Sequence, residues 1–190
     1  MLTDQQIFRR RAAGQPVFED EREKNHQHMI TLRLENTIGA LNRVINMFSQ
    51  RGFNLTSVSV GETNEPGISR MTLVTTGTDR IIAQVVKQLD NLIDTLSVDD
   101  VTEAPHVQRE LCLVKVAADA SNRSVLTGIS DIFRGRVVNI TTETMTFEVS
   151  GPPAKINGFI GMMDEYTILE VARSGRIAMR RKMEFEEDAE

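Results

Sequence analysis

The chain is predicted to be an α+β protein built from two successive βαββαβ units, and three observations predict it. Short runs with period-2 alternation of apolar residues are separated by stretches in which apolar residues recur at helical spacing, in the order strand, helix, strand, strand, helix, strand. That order then occurs a second time. The letters repeat as well: Phe48-x5-Asn54-Leu-Thr56 returns as Phe133-x5-Asn139-Ile-Thr141 at an offset of 85, with Leu41 and Leu126 in the same register. A βαββαβ unit folds as a ferredoxin-like sandwich, an antiparallel sheet with two helices on one face.

In the first unit, residues 29–34 place Ile30, Leu32 and Leu34 on one alternation, the mark of a half-buried strand that ends at Glu35. From Gly39, Ala40, Leu41, Val44, Ile45, Met47 and Phe48 form a helical stripe, closed by Arg51 and a C-terminal Gly52. Residues 53–60 read as a strand whose inward face switches from Phe53 and Leu55 to Val58 and Val60, which requires a bulge near Thr56 and Ser57. Thr63 to Gly67 form a turn, and residues 68–75 return as the third strand. Thr78 and Asp79 suit a helix start, Ile81, Ile82, Val85, Val86, Leu89, Leu92 and Ile93 supply its stripe, and residues 95–101 close the unit.

The second unit reads the same way, with strands at 110–117, 136–142, 144–149 and 166–171, and helices at 124–133 and from Pro153 to Met163. The expected division is an extension at 1–27, a first domain at 28–103, a linker at 104–109 around Pro105, a second domain at 110–183 and an acidic tail at 184–190.

Charge and composition exclude several classes. The tail holds five of the 27 acidic residues, leaving 22 acidic against 22 basic side chains elsewhere, so the net charge of −5 belongs to the tail. A body without net charge lacks the basic face that nucleic-acid binding needs, and the strands offer few aromatics for stacking RNA bases. No run reaches the roughly 18 apolar residues of a membrane span. The start lacks a basic region followed by an apolar one, and the lone Cys112 lies in an apolar run as a core thiol, so a soluble, cytoplasmic protein is expected. His26 and His28 fall at the end of the extension and His106 in the linker, none at a metal-ligand spacing, and all three are expected to face solvent. Asp99 and Asp100 point to opposite sides of a strand and make no acid/base pair. No phosphate-binding, dinucleotide or hydrolase motif occurs.

The most informative stretch is 35–44, where a strand feeds a loop with Asn36 and Gly39 into a helix start. Helix N-termini leave backbone N–H groups without intrahelical partners and carry partial positive charge, which favours a carboxylate. The Asn36 amide can accept from an ammonium group, and Ile38, Ala40 and Leu41 offer an apolar surface, so a small zwitterion with an aliphatic side chain matches the loop. The alternative is that Asn36 caps the helix and Gly39 relieves crowding. The loop does not repeat, because Gly39 aligns with Ser124 and Asn36 with Ser121, so a ligand is expected in the first unit only.

Five segments in order, Glu35-Asn-Thr-Ile-Gly-Ala-Leu-Asn-Arg-Val44, Phe48-Ser-Gln-Arg-Gly-Phe-Asn54, Ser69-Arg-Met-Thr72, Phe133-Arg-Gly135 and Glu170-Val-Ala-Arg-Ser-Gly175, resemble the regulatory (small) subunit of acetolactate synthase. The resemblance covers about residues 28–181. It implies an N-terminal ACT domain and a C-terminal ACT-like domain in a non-catalytic, cytoplasmic homodimer. Such a subunit activates the catalytic (large) subunit and confers feedback inhibition by valine in branched-chain amino acid (valine and isoleucine) biosynthesis. It also implies that the effector lies between two ACT domains, held by Asn36, Ile38, Gly39, Ala40 and Leu41 of one chain and by Asn54 and Leu55 of the other. Thiamine diphosphate, flavin and magnesium would belong to the catalytic subunit, so no cofactor, no metal and no catalytic residue is expected here. An amino-acid sensor without a synthase partner is the alternative. Residues 1–27 exceed the family's usual start, and Thr37 and Ile38 replace a more usual polar pair.

Overall fold

The computed structural model describes residues 24–182; the readings of the extension before residue 24 and of the acidic tail lie outside the described residues. The first unit comprises β1 (His26–Glu35), α1 (Ala40–Gln50), β2 (Leu55–Glu62), β3 (Ile68–Gly77), α2 (Asp79–Asp90) and β4 (Thr95–Asp100). The second comprises β5 (His106–Ala117), α3 (Arg123–Ile132), β6 (Arg136–Ile140), β7 (Thr144–Gly151), α4 (Pro153–Met163) and β8 (Ile168–Arg173), and a short β9 (Ile177–Arg180) follows. Both sheets are antiparallel, with strand orders β2-β3-β1-β4 and β6-β7-β5-β8. This is the ferredoxin-like order, present twice.

Local chemistry accounts for the boundaries. Gly52 takes φ +70° just past α1 and donates its N–H to the Ser49 carbonyl, as a glycine at a helix C-terminus does. The Thr78 hydroxyl accepts from the Ile81 N–H and caps α2. The register of β2 against β3 slips between Leu55 and Ser57, the bulge that the change of inward face requires.

Each unit has its own core. In the first, Ile30, Leu32 and Leu34 of β1 and Met71 and Leu73 of β3 meet Val44 and Phe48 of α1 and Ile82, Val85 and Leu89 of α2. In the second, Cys112, Val114, Val116, Phe147 and Val149 meet Leu126, Ile156, Phe159 and Met163. Cys112 is fully buried, as its apolar surroundings predict.

The sheets differ on their other face. β1 is not the half-buried strand that its alternation predicts, because Met29 and Thr31 are buried too. β5 begins at His106, within the stretch read as a linker, and its first four residues pair with β9. The β5–β9 ribbon covers the side of the first sheet away from its helices, where Ala178 packs with Met29, Val74 and Val101. Backbone N–H groups of Arg176 and Ala178 donate to the hydroxyls of Ser57 (2.8 Å) and Thr72 (3.3 Å), and Arg180 forms an ion pair with Asp99. Asp99 and Asp100 do face opposite sides, since Asp100 lies against His28 instead.

The histidine expectation needs correction. His26 and His28 are residues of β1, and His28 is only 3% exposed. The two-residue spacing puts both imidazoles on the helix side of the sheet, where α2 begins above them. Among the described residues no helix is long and apolar enough to cross a membrane.

Candidate functional site

The β1–α1 loop is built from the residues that the sequence singles out, and from four others. Gly39 stands at the N-cap of α1 with φ +91°, and a Cβ there would lie 3.0 Å from Nη1 of Arg43. Only glycine combines that backbone with an overlying guanidinium. Arg43 reaches over Gly39 to Asp94, in the α2–β4 turn, where its Nη2 donates to Oδ1 at 2.7 Å and its Nε to Oδ2. The Thr37 hydroxyl donates to the same carboxylate at 3.1 Å. Asp94 is buried, and the hydrogen bond from Arg43 is the chief reason its carboxyl is held below the usual range. The Asn36 N–H donates to the Gly67 carbonyl at 2.7 Å, and its Nδ2 to Glu62 at 3.1 Å. Thr37 thus braces the loop from within, and Arg43, Glu62 and Asp94 brace it from α1, β2 and the α2–β4 turn. Of the four, only Arg43 carries a local signal, one helical turn after Gly39.

What the bracing leaves open is specific. No side chain caps α1, and the N–H groups of Ile38 and Gly39 make no hydrogen bond among the described residues. The side chain of Ile38 is wholly exposed and that of Leu41 is 44% exposed, whereas Ala40 is buried. Leu126, which shares Leu41's place in the repeat, is fully buried. The second unit's loop is closed by its own anion: the Asp119 carboxylate accepts from the N–H groups of Ser121 and Asn122 and from the Ser121 hydroxyl. Those hydrogen bonds, the Ser121 hydroxyl foremost, hold the Asp119 carboxyl low. A carboxylate is built into one loop, and the other offers unused donors and uncovered aliphatic carbon.

Asn54 and Leu55 do not join the loop within one chain. They sit at the start of β2, while Asn36 contacts Glu62 at its end. Seven residues of strand separate the two ends, on the order of 20 Å. Leu55 is half-buried against the core, and the Asn54 carbonyl accepts from the Thr75 hydroxyl at 2.7 Å. β2 is an edge strand of its sheet. A separate apolar groove of about 580 Å³ lies between β2, β3 and the β5–β9 ribbon, lined in part by Val60, Val107, Ile177 and Met179.

The arrangement has counterparts among known proteins. Residues 30–97 match the model of the AHAS small subunit-like ACT domain, and residues 109–182 match that of the small subunit of acetolactate synthase. The acetolactate synthase small subunit of Aquifex aeolicus is 47% identical over 163 residues, 85% of either chain. The isozyme 3 small subunit of Escherichia coli is 38% identical over 82% of this chain and 96% of its own. The crystal structure of the small subunit from Thermotoga maritima superposes with a TM-score of 0.75 at 32% identity, over 83% of this chain and 99% of that one. With the two ferredoxin-like units and the five motifs in order, these likenesses place the chain in the acetolactate synthase small-subunit family.

Proposed function

We propose that this chain is a regulatory, non-catalytic subunit that activates an acetolactate synthase catalytic subunit and makes it sensitive to feedback by valine. The observation that carries this reading is the open β1–α1 loop: the N–H groups of Ile38 and Gly39 are unused, Arg43 lies beside them, and Ile38 and Leu41 are bare. Unused donors at a helix start favour the effector's carboxylate, and the exposed aliphatic side chains suit its isopropyl group. Asn36 is assigned to the ammonium group and Ala40 to the floor of the pocket.

Asn54 and Leu55 enter from a second chain. An unpaired edge strand is a template for pairing, and two β2 edges running antiparallel would bring the 36–41 loop of one chain beside residues 54–55 of the other. Valine bound across that seam favours one arrangement of the homodimer, and the catalytic subunit senses the shift through its contacts. Typical couplings of about 1–3 kcal/mol correspond to roughly 5–150-fold changes in affinity, enough for feedback control.

The test mixes the full chain with the catalytic subunit and measures acetolactate formation with and without valine. Stimulation that valine reverses is expected. Valine binding without any effect on the synthase would instead identify a sensor lacking this partner. Calorimetry with valine separates the site from the partnership: Asn36→Ala is expected to bind more weakly than wild type, and equal affinity removes Asn36 from the site. Sedimentation of the free chain is expected to show a dimer.

A further inference from the structure

We propose that His26, His28 and Asp79 form a binding site for a divalent transition-metal ion of the zinc class, which clasps the start of β1 to the start of α2. The two imidazole rings lie side by side, with centroids 4.1 Å apart. Their Nε2 atoms stand 3.4 Å (His26) and 3.5 Å (His28) from the same oxygen, Oδ1 of Asp79, and one ligand atom from each residue falls within 4.8 Å of the others. Four-coordinate zinc with bonds of about 2.0–2.2 Å separates its ligand atoms by about 3.3 Å.

The second ring nitrogens decide the tautomers. Nδ1 of His26 lies 3.2 Å from the Lys24 carbonyl, and Nδ1 of His28 lies 3.3 Å from Oδ2 of Asp100. Both oxygens only accept, so each Nδ1 carries the hydrogen, and in a neutral ring each Nε2 then presents a lone pair. A carboxylate or carbonyl behind the imidazole is the usual support of a metal-bound histidine.

His28 Nε2 is the independent sign that something belongs there. It is fully buried, makes no hydrogen bond, and points with a second lone pair toward a carboxylate oxygen. A buried polar atom left so is costly, and with both rings neutral three electron-rich atoms lie within 4.8 Å of one another and repel. One divalent cation satisfies all three. The adjoining cavity also contains Asp100, Glu103 and Lys87, so its charge balance is acidic. Asp79 is half-exposed, which leaves an open side for water as the remaining ligand. Two imidazoles and a carboxylate suit Zn²⁺, Co²⁺ or Ni²⁺ better than magnesium or calcium, which prefer oxygen.

The full chain, stripped with a chelator and dialysed, is titrated with Zn²⁺ by calorimetry and with Co²⁺ by visible absorption. One ion per chain is expected, with cobalt bands of imidazole ligation. His26→Gln and Asp79→Asn, both at partly exposed positions, are expected to weaken binding at least tenfold. Asp100→Asn is expected to weaken it by about 10–100-fold through His28. His106→Gln, with its imidazole against the Ala104 carbonyl, should bind as wild type does. Circular dichroism verifies that each variant is folded. Absence of stoichiometric uptake overturns the proposal, as does unchanged affinity in both His26→Gln and Asp79→Asn. An imidazolium at His28 held between Asp79 and Asp100 without metal uptake, seen by NMR titration, also overturns it.

Discussion

Gly175 lies so close to Val58 that a Cβ on it would stand 2.9 Å from the Val58 carbonyl oxygen, and as close to the Ser57 hydroxyl. Its φ is +77°, and the next residue, Arg176, donates its N–H to Ser57. The second unit is seated on the first through backbone that admits no side chain. Gly175→Ala should therefore destabilise the chain by about 2–4 kcal/mol, from left-handed strain plus overpacking. Gly52→Ala, with φ +70° and nothing within 4 Å, should cost only the strain, roughly 1–2 kcal/mol. Urea denaturation of both variants measures the difference.

Asp94 predicts an acid-sensitive loop. The hydrogen bond from Arg43 is the largest influence lowering its carboxyl, with a smaller one from Thr37, against burial. Because the folded-state pKa lies below the unfolded value of about 3.9, the stabilisation is complete above about pH 4 and is lost as pH falls through the folded pKa. Asp94→Asn should have a lower thermal midpoint than wild type at neutral pH. The gap should narrow once pH drops below about 4, and stay constant between about pH 6 and 8.

The second core has an aromatic centre. Phe159 is fully buried, with Phe133 and Phe147 edge-on at ring distances of 5.5 and 6.2 Å. Phe159→Ala removes both ring contacts and leaves a cavity, for an expected loss of about 3–5 kcal/mol. Equilibrium unfolding in urea checks the figure.

Cys112 should be silent in the native protein. Burial raises its thiol pKa, so little thiolate is available, and the side chain is inaccessible. A thiol reagent should modify it only as fast as the chain opens, and within the reagent's ordinary time in urea. Rapid labelling of the folded chain would contradict this core.

Much of the fold was legible because periodicity records which face of an element is buried. Ile30, Leu32 and Leu34, the Val44 and Phe48 stripe, the Thr78 cap and the bulge at Thr56 and Ser57 all carry their cause within a few residues. Gly39 was legible as well, since a loop between strand and helix with a non-repeating glycine marks a backbone need. His28 was misread because the residues that bury it arrive from elsewhere: Asp79 is 51 positions away and Asp100 is 72. The pairing of β9 with the first residues of β5 gave no local sign, being four residues long and joined across more than 60 positions.

By itself, then, the sequence determined the two βαββαβ units, their cores and the singular β1–α1 loop, because apolar spacing and turn chemistry act over short range. Tertiary structure alone decided the rest. It laid the β5–β9 ribbon over the first sheet and bound Arg43 and Thr37 to Asp94. It also turned two histidines inward and set Asn54 at the far end of β2 from Asn36. Each of these is a meeting of groups distant along the chain, and only the path of the folded backbone fixes which distant groups meet.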